Sequence, residues 1–142
     1  DKCIKLEFPE NLSKVHFIKM TLTEDGKVVS DNFYHRSLEE NNYQDLCQLA
    51  KVALQSATTV DKNADGTWSA VSVIENKTST PALMIRLNVV DGKDDQQILP
   101  VFYSDNYFSL LPGEKKEVRM SWRDEDTRGN EGKVLITGYN VE

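Results

Sequence analysis

Apolar and polar residues alternate most strictly over Leu83-Met84-Ile85-Arg86-Leu87-Asn88-Val89, where Leu83, Ile85, Leu87 and Val89 fall on one side. A period of two marks an extended strand with one buried face. Val118, Met120 and Trp122 likewise share one side of a second segment, with Arg119, Ser121 and Arg123 on the other. Strands with one wet face favour antiparallel pairing. Between residues 14 and 35 two apolar-rich arms flank Glu24-Asp25-Gly26-Lys27, and Asp-Gly supplies the positive-φ positions of a tight hairpin turn. The first arm changes parity, from Val15 and Phe17 to Ile18, Met20 and Leu22, which predicts a bulge or twist near Phe17. Further strands are expected at residues 52–58, 67–75, 98–103 and 134–141.

The one helical candidate is residues 39–50, where Tyr43, Leu46, Cys47 and Ala50 follow i, i+3, i+4, i+7 spacing over one or two turns. Turn residues recur at Asp65-Gly66, Asp91-Gly92 and Pro112-Gly113, and strands do not alternate with helices. The architecture this predicts is all-β: an immunoglobulin-like antiparallel sandwich of two sheets, with about seven to eight strands and at most one short helix. The Cys…Trp…Cys arrangement of antibody domains is absent.

At 142 residues the expectation is a single domain over 1–142, with residues 1–13 as a candidate linker from a preceding domain. With 39% hydrophobic and 28% charged residues, the composition is that of a folded globular chain and not a disordered one. No apolar run approaches the roughly 20 residues of a membrane helix. A net charge of -6 opposes phosphate backbones, so neither nucleic acid nor membrane is an expected partner. The sequence opens at Asp1 with neither Met nor a charged-then-apolar leader, as at an artificial or processed boundary. Cys3 and Cys47 lack metal spacing; two unpaired thiols are the favoured reading, and one bridge stays open in an oxidising compartment.

Several constellations bear on chemistry. Asp61, Asn63 and Asp65, followed by Gly66, copy the oxygen-donor spacing of half an EF-hand loop, but Ser72 stands where the bidentate Glu belongs. A turn between two strands is favoured over calcium, and no metal or other cofactor is expected. Asp124-Glu125-Asp126 and Asp94-Asp95 could supply the carboxylate pair of a glycosidase, yet both lie in polar segments typical of solvated loops. His16 and His35 come with no nucleophile or zinc motif and read as structural. Trp68, Trp122, Tyr103, Tyr107 and Phe108 could stack on sugars, but packing is the favoured role. Asn11-Leu12-Ser13 and Asn76-Lys77-Thr78 match the glycosylation pattern.

The most distinctive run is Ser104-Asp105-Asn106-Tyr107-Phe108-Ser109-Leu110-Leu111-Pro112-Gly113-Glu114. Asp105 and Asn106 suit a backbone leaving a sheet, Tyr107, Phe108, Leu110 and Leu111 supply anchoring area against the core or a neighbouring domain, and Pro112-Gly113 opens the next strand. Together with Asp31-Asn32-Phe33-Tyr34 and Asn42-Tyr43-Gln44-Asp45-Leu46, the run resembles the C-terminal immunoglobulin-like domain of glycoside hydrolase family 2 enzymes of the β-mannosidase and exo-β-glucosaminidase type. The resemblance implies a non-catalytic accessory domain of a retaining glycosidase, periplasmic or secreted, whose two glutamates lie in a barrel outside this chain. Its implied partners are that catalytic barrel and other β-sandwich domains of the same polypeptide, with Asp105, Asn106, Tyr107, Phe108, Leu110 and Leu111 as structural or interdomain residues and no catalytic residue here. The alternatives are a stand-alone carbohydrate-binding module and an adhesive sandwich.

Overall fold

The computed structural model describes residue 5 and residues 7–142. The chain divides into two compact units, residues 1–49 and 50–142. In the first, β1 (Val15–Glu24) and β2 (Lys27–Ser37) form an antiparallel two-stranded sheet. Asp25 and Gly26 turn it with φ of 49° and 75°, the left-handed pair that suits the twist of a short hairpin. The register is unbroken from Val15 to Leu22, and its one shift falls between Leu22 and Thr23. The bulge expected near Phe17 is therefore not there. The parity change instead reflects two apolar faces: Phe17 points with Phe33 and His35, while Ile18 shares the opposite face with Tyr34. The helical candidate is reduced to a five-residue 3-10 turn, Gln44–Gln48, with no buried residue to hold a longer helix.

The second unit is a sandwich. One sheet has the order β3-β4-β8-β6, from β3 (Gln55–Lys62), β4 (Thr67–Glu75), β6 (Phe102–Tyr103) and β8 (Lys115–Arg123). The other has the order β7-β5-β9, from β5 (Ala82–Asp91), β7 (Phe108–Leu110) and β9 (Gly132–Thr137). Among the described residues this makes nine strands, all paired antiparallel, the hairpin included. The strict alternation of β4, β5 and β8 sends Trp68, Ala70, Ile74, Val118, Met120 and Trp122 inward from one sheet against Ile85, Leu87 and Val89 from the other. The strand expected at residues 52–58 starts later, because Val52 leaves the sheet to bridge Val141. Trp68 and Trp122 are cross-strand partners whose rings lie 6.3 Å apart and within 3° of parallel. Gly132 makes room for this pair: a Cβ there would stand 2.9 Å from Trp122 Cζ2.

Candidate functional site: the strand-switching run

Residues 104–114 carry the chain from the β6 edge of one sheet to the β7 edge of the other and back to β8. Side chains perform the transfer where main-chain pairing stops. The Ser104 amide donates to Arg119 O at 2.8 Å, and the Arg119 amide donates to Ser104 Oγ at 2.9 Å, so a hydroxyl completes the last rung to β8. Two residues on, the Asn106 carboxamide does the same for β5. Its Oδ1 accepts from Leu87 N at 2.9 Å and its Nδ2 donates to Leu87 O at 3.0 Å, the two bonds a neighbouring strand would make. Asn106 Oδ1 also accepts from Tyr107 N, and Asp105 Oδ1 accepts from Asn106 N at 2.7 Å. Asp105 is itself held by an ion pair with Lys116, whose ammonium also lies 4.9 Å from the Phe108 ring centre.

Beyond the turn, Phe108 packs against the core, Leu110 is buried within it, and Leu111 is half-buried. Tyr107 is the exception. Its φ of 58° places a bulky residue in the left-handed region, and its ring is exposed, with the Arg86 guanidinium 5.9 Å from the ring centre.

Two asparagines that the sequence pattern did not single out as anchors do comparable work. Asn76, fully buried, donates to Thr80 O and Leu110 O while accepting from the Thr78 amide and hydroxyl. The glycosylation match at Asn76 is thus occupied by structure, whereas Asn11 is exposed. Asn140 accepts from Leu83 N and donates to Ala50 O and Pro81 O. In both cases an Asn in a polar loop sequence gave no signal of burial.

The remaining candidates are placed as follows. Asp61 lies in β3 opposite Ser69, and Asp65 Oδ1 accepts from both the Thr67 amide and hydroxyl, while Asn63 Nδ2 donates to that hydroxyl. Asp65 Oδ1 is thereby engaged with Thr67, which also holds the Asp65 carboxyl below its ordinary value. Among the described residues no group of three or more His, Cys, Asp or Glu gathers as a metal site. Asp124 accepts from Lys62 Nζ at 2.8 Å and Trp68 Nε1 at 2.7 Å, and these two bonds depress its pKa; Glu125 pairs with Arg123. Each described carboxylate whose pKa moves, namely Glu39, Asp65, Asp91 and Asp124, moves down, the reverse of what a general acid requires.

His16 is buried and faces Phe8, while His35 stands on the opposite hairpin face, edge-on to Phe17 and Phe33, where burial lowers its pKa. Trp68 and Trp122 are core residues, and the half-buried Tyr103 hydroxyl accepts from Val89 N, its pKa raised by burial. Of the five aromatics weighed for sugar stacking, Tyr107 alone is exposed, so they form no planar platform. Cys47 is exposed; its pairing with Cys3 lies outside the described residues.

A seven-stranded antiparallel sandwich whose two sheets are joined by a side-chain-bonded crossover defines an immunoglobulin-like domain. The family model of the exo-β-D-glucosaminidase Ig-fold domain matches residues 32–141, and the chain belongs to that family. The exo-β-D-glucosaminidase of Arthroderma benhamiae is 31% identical over 90% of this chain, and that of Hypocrea jecorina 31% over 92%. The crystal structure of the Amycolatopsis orientalis exo-chitosanase superimposes with a TM-score of 0.83 at 28% identity, over 93% of this chain and 18% of that one. The chain spans 16% and 17% of the length of the two curated relatives, so the fold recurs as a small part of much larger enzymes.

Proposed function

We propose that this chain is the C-terminal accessory domain of a retaining exo-β-glucosaminidase, packed beside the catalytic barrel and stabilising the assembly without taking part in bond cleavage. The observation that carries this reading is the match of nearly the whole chain to about one sixth of exo-β-D-glucosaminidases. Similarity to a lily mannosylglycoprotein endo-β-mannosidase, 47% identical, extends over only 33% of the chain, which favours glucosamine over mannose as the parent's sugar. Leu110 and Phe108 serve the domain's own core, so within the run the interdomain role falls to exposed Tyr107 beside Arg86. The test is to assay the native polypeptide containing this chain, and the 142-residue chain alone, on aryl β-glucosaminides and aryl β-mannosides. Glucosaminidase activity confined to the longer protein is expected. Hydrolysis by the isolated chain, or a parent that cleaves only mannosides, would overturn it.

A further inference from the structure

The outer face of β5 carries a cluster that the core does not use. Tyr107 and Met84 are 57% and 47% exposed, and both hold a positive φ, of 58° and 53°. Large side chains rarely adopt that conformation, and residues strained in this way gather at ligand clamps and active sites. Met84 sits in the register shift between Ala82 and Ile85, where its amide donates to Ser109 Oγ at 3.3 Å. A bulge of this kind re-aims a side chain away from the plain alternation of a strand.

Arg86 stands beside these two outliers. Its guanidinium carbon lies 5.9 Å from the Tyr107 ring centre, and among the described residues it has no carboxylate partner. Asn88, two positions along the same face, keeps a buried Oδ1 with no hydrogen-bond partner. Unmet buried acceptors are rare in folded proteins, and a donor from outside the chain is one way to satisfy them. The broad terminal torsion of an asparagine lets Oδ1 turn toward such a donor. Thr137, opposite Arg86 on β9, is exposed and adds a hydroxyl to the same face.

One flat ring, a fork of N–H donors, a hydroxyl and a free acceptor form the set that suits a pyranose. A sugar offers an apolar C–H face edged by hydroxyls that both donate and accept. A simple anion would engage the guanidinium alone, and Asn88 Oδ1 would repel it. A protonated amino sugar would set its ammonium beside the Arg86 charge. We propose that Tyr107, Arg86 and Asn88 form a sugar-binding site on the outer face of β5, selective for uncharged or N-acetylated pyranose units over protonated glucosamine. Tyr107 stacks on the ring, Arg86 donates to its hydroxyls or acetamide carbonyl, and Asn88 Oδ1 accepts from a hydroxyl. The site rests on the preceding reading that Tyr107 stands at a domain border, the kind of place where ligand pockets preferentially form.

Hydrogen exchange read by mass spectrometry tests it on the native polypeptide containing this chain. The probes are N-acetylglucosamine and glucosamine, at a pH that keeps the amine of the second protonated. At a concentration of about ten times Kd, N-acetylglucosamine should slow exchange about 10-fold in peptides spanning 82–91 and 104–110, with β4 unchanged. Glucosamine should need about 10-fold higher concentration for the same slowing. Tyr107→Gly removes the ring while accepting the backbone conformation, so the fold is kept and the slowing should be lost. Arg86→Gln should bring the two probes to within about 2-fold of each other, since the repelling charge is gone. No slowing in these peptides with N-acetylglucosamine overturns the proposal. So does slowing that persists in Tyr107→Gly, that is equal for both probes in the wild type, or that inorganic phosphate reproduces. Glucosaminidase activity of the same polypeptide is scored separately: an active enzyme without slowing sinks this proposal alone, and an inactive one that shows it sinks only the assigned activity.

Discussion

Replacing Asn106 with Ala removes both bonds to the main chain of Leu87, a residue 1% exposed, and strands its N–H and C=O beneath the turn. Leaving a buried polar group unpaired costs about 1–3 kcal/mol, so the pair amounts to about 2–5 kcal/mol, allowing for some relaxation. Against the roughly 5–15 kcal/mol of a typical domain this is a large fraction. Urea unfolding followed by the fluorescence of buried Trp68 and Trp122 reads it directly, and at a slope of about 1.5 kcal/mol/M the midpoint should fall by about 1.3–3.3 M.

Asn106→Asp adds a sharper signature. A carboxylate keeps the acceptor for Leu87 N–H but sets a second oxygen against Leu87 O, which favours the protonated acid and raises its folded pKa. The variant is therefore destabilised at neutral pH and recovers, relative to wild type, as pH falls through that raised value. Tyr107→Gly serves as the control, since glycine accepts the φ of 58° without strain and the exposed ring adds little to the core. An Asn106→Ala midpoint within about 0.3 M of wild type, or no pH recovery in Asn106→Asp, would refute the idea that this carboxamide substitutes for a strand.

Other outcomes follow from the same geometry. Gly132→Ala drives a methyl into Trp122 and the side chains of Ile98 and Val89, and should cost about 1–3 kcal/mol by the same urea assay. Asn76→Gln, which displaces an amide with four partners, should lower the melting temperature by several degrees, about 4 °C or more, and expression in a glycosylating host should leave Asn76 unmodified by mass. Ionised Asp124 contributes stability that is complete above its ordinary value of 3.8 and is lost as pH falls through its lower folded value; Asp124→Asn should flatten the melting-temperature profile in that acidic range. Calcium should leave the melting temperature unchanged, because Thr67 already engages Asp65 and Asn63.

Where a strand is long and half-buried, its alternation is strong enough to read directly, as in β5 and β8; the hairpin was legible from its Asp-Gly turn, and β4 was expected as a strand without its alternation being read. β7 was not, because three residues between two anchors have no period to detect. The parity change in β1 misled for a physical reason: a ribbon with two apolar faces mimics a register shift. In the candidate site, the chemical type of Asp105 and Asn106 announced a departure from the sheet. Their partners, Leu87 and Lys116, were hidden because tertiary pairing joins positions whose sequence separation carries no signal. Asn76 and Asn140 were missed since a buried asparagine bonded to main chain looks, in sequence, like any loop asparagine.

Ser104 is tied to β8 and Asn106 to β5, so only two residues of chain separate an attachment on one layer from an attachment on the other. Two extended residues reach at most about 7 Å, and sheets in a sandwich lie about 10 Å apart, so side-chain lengths make up the difference with little slack. The crossover therefore acts as a gauge that limits the thickness of the sandwich formed by residues 50–142. A core variant with bulkier side chains cannot be accommodated by letting the layers drift apart, whereas a smaller core can draw them closer with both attachments kept. The permitted size of what lies between the sheets is written outside the core, in a serine and an asparagine at its rim.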